Sequence, residues 1–152
     1  MTDRLRNILF LCTGNSARSI MAEAYMNHAG KAHWRAFSAG SAPTGRPNPL
    51  ALETLRAQGV PRGAPRSKSW SEFARDDAPV MDAIVTVCDN AAGETCPVWP
   101  GAAGAPPPKR LHWSFPDPAA ATGTDEEKRA AFKTVFADIR IKIDGFLEAE
   151  RG

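Results

Sequence analysis

Most of the chemistry legible in this chain sits in the eight residues Cys12-Thr13-Gly14-Asn15-Ser16-Ala17-Arg18-Ser19. They put a sulfur nucleophile and a guanidinium six positions apart, a spacing that gains meaning only from its setting. The apolar run Ile8 to Leu11 comes before them and reads as a strand buried on both faces. A helical pattern begins near Ser19, so the stretch is a strand-to-helix turn, where ligands bind in parallel α/β sheets. Backbone N–H groups converging on a helix N-terminus make an anion cradle. Gly14 and Asn15 tolerate the positive φ that such a nest requires. Arg18 adds a planar fork matched to tetrahedral oxyanions. The same field is expected to lower the Cys12 thiol into the range of about 3.5–7.5 seen for activated cysteines. Ser16 and Ser19 supply hydroxyls that could hold the sulfur. The alternative use of Cys12 is as a small apolar residue closing a strand.

The elements that must position this loop alternate short apolar runs with helically spaced segments, the pattern of an α/β fold with a parallel sheet. A first helix carries Ile20, Met21, Ala24, Tyr25 and His28, with Gly30 expected as a left-handed cap. Trp34 to Ser38 reads as a second strand, closed by Ala39-Gly40. Pro47-Asn48-Pro49 opens a helix through Leu50, Leu52 and Leu55 that ends near Gly59. Ser67 to Ala74 is expected as a short helix, Ala83 to Val87 as a strand, and Leu111 to Trp113 as a shorter one. Thr124 and Glu127 have capping-box spacing ahead of a final helix striped by Phe132, Val135, Phe136, Ile139, Ile143 and Phe146. Gly101 to Pro108 reads as a surface loop within one domain spanning residues 1–152.

Composition narrows the function classes. Nineteen Lys plus Arg against seventeen Asp plus Glu leave a net charge of +2, which gives no nucleic-acid footprint. No apolar run is long enough to span a bilayer, and the N-terminal residues lack a signal-peptide pattern. Three cysteines are too few, and odd in number, for a disulfide framework. Thiol chemistry in a reducing cytoplasm, with no bound cofactor, is the expectation.

The Cys, five residues, Arg, Ser pattern of Cys12 to Ser19 resembles the phosphate-binding loop of the low-molecular-weight protein tyrosine phosphatase superfamily. The resemblance spans essentially the whole chain. It implies a four-stranded parallel sheet flanked by helices on both faces, and a general acid in a late Asp-Pro pair, here Asp117-Pro118. Asp before Pro is also a common turn residue. Tyrosine phosphatases of the superfamily carry aromatic residues beside the acid, whereas Ala119, Ala120 and Ala121 follow it here. Any phenyl-stacking wall would come from Trp70, Trp99 or Trp113.

The other cysteines, in Val87-Cys88-Asp89 through Thr95-Cys96-Pro97, resemble the redox segment of the superfamily's arsenate reductases. That resemblance implies a relay. Cys12 attacks arsenate while Asp117 protonates the departing water; Cys88 then attacks the Cys12 sulfur and arsenite leaves. Cys96 next takes over the disulfide for an external reductant, thioredoxin or glutathione with glutaredoxin. An inert cysteine pair and a zinc pair are the other readings, but the spacing is not that of a zinc knuckle and no metal site is expected. The alternative functions are a phosphatase acting on phosphotyrosine or small phosphate esters, and a non-catalytic oxyanion or redox sensor. A monomer is expected. Some of the similar reductases bind potassium through an Asn, a Glu, a Ser and an Asp. Asn15, Glu23 and Ser38 match three of these, and Lys68 stands in place of the acid. An ammonium is therefore expected to replace the ion.

Overall fold

In the computed structural model, which describes residues 5–63, 65–73, 78–87 and 109–151, four parallel strands form one sheet. These are β1 (Arg6–Leu11), β2 (Trp34–Ala39), β3 (Ala83–Thr86) and β4 (Lys109–His112), in the order β2-β1-β3-β4. Ile8 to Leu11 of the central β1 are fully buried. Side chains alternate across a strand, so Ile8 and Phe10 enter one core and Leu9 and Leu11 the other. This two-faced burial explains the unbroken apolar run.

Among the described residues, three α-helices serve the first core: α1 (Arg18–Ala29), α2 (Pro49–Ala57) and α3 (Asp125–Arg151). Asn48 caps α2 by accepting the Leu50 N–H at 2.8 Å, with Pro49 at the first helical position. Thr124 and Glu127 form the expected reciprocal box at the start of α3, with both bonds at 3.1 Å. The stripe from Phe132 to Ile143 is buried against α1 and the sheet.

The second face is covered, among the described residues, by a 3₁₀ turn at Trp70–Phe73, where Phe73 joins Leu9, Leu11 and Ile84. The helix expected from Ser67 is this shorter element. Residues before it are drawn straight because Lys68 O accepts the Gly40 N–H at 3.0 Å and Trp70 N–H donates to Gly40 O at 2.9 Å. Gly30 ends α1 without the expected left-handed turn, at φ −104° and ψ 11°. Packing explains the glycine: an added Cβ would stand 3.1 Å from both Leu147 Cδ2 and Met26 O. The loop expected at residues 101–108 lies outside the described residues.

The outer edge of β2 is occupied at Trp34 and Ala36. Trp34 N–H reaches Gly30 O at 2.8 Å, and the Asn27 side chain takes both backbone groups of Ala36, accepting at 2.8 Å and donating at 3.2 Å.

Candidate active site

The chain leaves β1 toward β2 on one side, whereas β4 lies on the other side of β3. The carboxyl ends of β1 and β3 therefore flank a topological switch point, where such sheets open a crevice. Cys12 stands there, buried at the end of β1, with its N–H donating to Ala39 O at 3.2 Å.

The loop after it is held from outside by its carbonyls. Ala42 N–H donates to Thr13 O at 2.9 Å, Thr44 N–H to Gly14 O at 3.0 Å, and Asn48 N–H to Ser16 O at 2.8 Å. Met21 N–H donates to Ala17 O at 2.9 Å. In a trans peptide the C=O and N–H point in opposite directions. Tying the carbonyls of Thr13, Ser16 and Ala17 thus turns the N–H groups of Gly14, Ala17 and Arg18 toward the inside of the loop. Inward-facing N–H groups are what an anion nest requires.

Asn15 makes the turn. Its φ of 44° is the one positive value at a non-glycine position among the described residues. It is fully buried and fastened at both ends, Nδ2 donating to Ser19 Oγ at 2.9 Å and Oδ1 accepting the Lys68 N–H at 2.8 Å. Ser19, expected to serve the sulfur, thus has a place in fastening the loop. Gly14, expected to share the positive φ, does not adopt it.

Arg18 opens α1 at the mouth of the loop. Its Nη1 donates to Phe115 O at 2.9 Å and its Nη2 lies 3.8 Å from Asp117 Oδ2. Its Nε is buried and has no hydrogen-bond partner among the described residues. A buried guanidinium N–H without an acceptor is costly, and an oxyanion seated in the nest would supply one. Asp117 serves as a turn residue and also stands near Arg18. Its Oδ1 accepts the Ala119 N–H at 2.9 Å and caps a 3₁₀ turn, while its other oxygen stands beside Arg18. Its side chain is 45% exposed.

Behind the nest lies a charged pair. Glu23 accepts a short hydrogen bond from Ser38 Oγ, and Lys68 Nζ stands 3.9 Å from Glu23 Oε1 while donating to Arg66 O at 2.8 Å. Burial pushes the Glu23 carboxyl above the usual carboxylate range, with Lys68, Ser38 and Arg66 pulling the other way. Burial likewise pushes the Lys68 ammonium below the usual lysine range, opposed chiefly by Glu23. The buried ammonium beside the carboxylate does not fit a potassium site. Among the described residues, no group of three His, Cys, Asp or Glu is placed to hold a metal ion.

Three contributors are absent from the sequence reading. An added Cβ on Gly40 would lie 2.3 Å from the carbonyl oxygens of both Cys12 and Thr13, so only glycine lets β2 end against the loop. The segment 42–48 supplies the outer donors through its main chain, which no side-chain motif advertises. Ser67 donates from Oγ to Gly14 O at 3.1 Å; its distance in sequence from the loop hid it.

Cys88 and Cys96 lie outside the described residues, as does Trp99. The last described residue before them, Val87, donates its N–H to Leu11 O at 2.9 Å, level with the start of the nest. Trp113 packs on Phe10 and Phe146 at centroid distances of 6.2 and 5.8 Å, and Trp70 packs on the second core. Tyr25 donates to Asp144 of α3 at 2.6 Å. His112 Nδ1 is 2.7 Å from Thr86 Oγ1, at the end of β3.

Known proteins are similar to this chain in sequence and in fold. The sequence profile of the low molecular weight phosphotyrosine protein phosphatase family matches residues 7–151. An arsenate reductase of Bacillus licheniformis is 40% identical over 144 residues, covering 94% of this chain and 96% of the relative. The crystal structure of an arsenate reductase from Archaeoglobus fulgidus is similar with a TM-score of 0.69 and 28% identity, over 93% of this chain and 98% of that one. A thioredoxin-dependent arsenate reductase of Corynebacterium glutamicum shares the fold at a TM-score of 0.67 and 24% identity, over 95% of this chain and 60% of that one.

Proposed function

Because the chain belongs to the low molecular weight phosphotyrosine protein phosphatase family, we propose that it turns that family's thiol and oxyanion loop to the reduction of arsenate to arsenite. The observation that carries the reading is the buried Arg18 Nε, without a hydrogen-bond partner among the described residues, at the mouth of a loop whose N–H groups turn inward. The similarity to named arsenate reductases over nearly the whole chain favours arsenate over a phosphate ester.

In the proposed cycle, Thr13 to Ser19 hold the oxyanion and Arg18 binds its equatorial oxygens. The Cys12 thiolate attacks arsenic, and one oxygen leaves as water with a proton from Asp117. The Cys88 thiolate then attacks the Cys12 sulfur. The sulfur–arsenic electron pair stays on arsenic, which departs as arsenite, and the two thiolates are oxidised to a Cys12–Cys88 disulfide. Cys96 exchanges onto Cys88 and frees Cys12. An external dithiol, thioredoxin or glutaredoxin with glutathione, reduces the Cys88–Cys96 bond. The turnover of free thiols suits a single-domain enzyme of the cytoplasm.

The test is arsenate-dependent oxidation of each reducing system, supplied separately, with p-nitrophenyl phosphate hydrolysis as control. Wild type should turn over arsenate, Cys12→Ser should be inactive toward both substrates, and Cys88→Ser or Cys96→Ser should lose arsenate turnover only. Full arsenate turnover in both later variants would reject the relay. Ester hydrolysis without arsenate reduction would establish the phosphatase instead.

A further inference from the structure

We propose that the Ser67 hydroxyl is a positioning group that fixes the oxyanion loop from outside, a role that rests on the loop binding an oxyanion. Ser67 is half-buried, and its Oγ uses both of its capacities on main-chain groups of two different loops. It donates to Gly14 O at 3.1 Å and accepts the Gly45 N–H at 3.2 Å. Gly45 has a φ of 98°, a backbone conformation that side-chain-bearing residues avoid. The next residue along, Lys68, donates its N–H to Asn15 Oδ1 at 2.8 Å. Two successive residues of one extended segment thus grip two successive residues of the nest, Gly14 and the left-handed Asn15.

That grip falls where the loop's shape is decided. The positive φ of Asn15 folds the chain back so that the following N–H groups face inward. Holding Gly14 O on one side and the Asn15 side chain on the other fixes the peptide plane between them. Thr44 N–H also reaches Gly14 O, at 3.0 Å, so the hydroxyl is one of two outer anchors. Its loss also strips the Gly45 N–H of the acceptor that links the 42–48 segment to Ser67. No step of the proposed cycle uses Ser67, and its hydroxyl does not touch substrate; it acts through Gly14.

The experiment measures inorganic phosphate binding to the reduced full-length chain by calorimetry, with thermal melts alongside. It compares wild type, Ser67→Ala and Ser67→Thr, the last keeping the hydroxyl on a half-exposed site. Ser67→Ala should weaken phosphate binding roughly three- to tenfold, the loss expected for one hydrogen bond. Ser67→Thr should stay within about twofold of wild type. Wild-type affinity in Ser67→Ala, with or without a lower melting temperature, overturns the proposal, as does equal weakening in both variants. Failure of wild type itself to bind phosphate is a separate result, which removes the oxyanion reading along with this one. Phosphate binding without arsenate turnover removes the reductase reading and leaves the role of Ser67 standing.

Discussion

Replacing Lys68 with methionine keeps the bulk of a buried side chain and deletes its charge. In the wild-type fold the ammonium stands 3.9 Å from Glu23 Oε1. At an effective dielectric of about 20, that separation corresponds to about 4 kcal/mol of attraction. Methionine recovers the cost of burying the ammonium, and Glu23, 23% exposed, keeps some water and its Ser38 hydrogen bond. The net loss should be about 2–3 kcal/mol near neutral or mildly alkaline pH, or about 5–10 °C in Tm for a chain of this length. The pH dependence has a definite sign. Burial raises the folded pKa of Glu23, so its contribution is present below the unfolded value and is lost as pH rises through the folded one. Without Lys68 that pKa climbs further, and ionising Glu23 costs more. Burial lowers the folded pKa of Lys68, so its contribution is present above the unfolded value and lost as pH falls through the folded one. At neutral pH the wild-type ammonium is therefore a cost that Glu23 offsets. The deficit of the variant should be wider at about pH 8 than at about pH 5, because acid favours the protonated Glu23 that needs no ammonium beside it. Thermal melts followed by circular dichroism at the two pH values measure it. A deficit that does not change with pH, or none at about pH 8, would refute the reasoning.

The same ammonium predicts that arsenate turnover is equal in potassium and sodium buffers of matched ionic strength; a severalfold stimulation by potassium would contradict it. Gly40→Ala places a Cβ 2.3 Å from two backbone oxygens of the loop, which must shift by about 1 Å to reach ordinary contact. Phosphate affinity and arsenate kcat/KM should fall by about a hundredfold, as calorimetry and steady-state assays would show. Arg18→Lys keeps a positive charge but loses the fork that joins Phe115 O to the oxyanion site, so phosphate binding should weaken by more than about tenfold. Retained affinity in that variant would show that a point charge suffices.

The loop and its helix were legible because their signals are local: a buried apolar run, a residue tolerant of left-handed geometry, and an arginine where α1 begins. The capping box was legible for the same reason, as Thr124 and Glu127 are three positions apart and meet within one turn. The outer half of the site was not. Ser67 and Gly40 act on Gly14, Cys12 and Thr13 from far along the chain, and the 42–48 segment acts through main-chain N–H groups present in almost any sequence. Gly30 shows the complementary error. Its position after α1 suggested a turn preference, whereas what marks the site is close packing, an added Cβ standing 3.1 Å from Leu147 of α3 and from Met26 O. The short helix expected from Ser67 was curtailed because Lys68 and Trp70 had their backbone groups drawn to Gly40.

The border of the sheet at β2 has a consequence for encounters between molecules. Asn27 offers Ala36 a side-chain carboxamide that imitates the peptide of a neighbouring strand. At one end Gly30 fills the same position for Trp34, and at the other Lys68 and Trp70 fill it for Gly40. Ser38, between them, is wholly buried. A foreign β-segment seeking a template there finds the Ala36 and Gly40 rungs taken by counterfeits from the same chain, and would have to evict Asn27 to pair with Ala36.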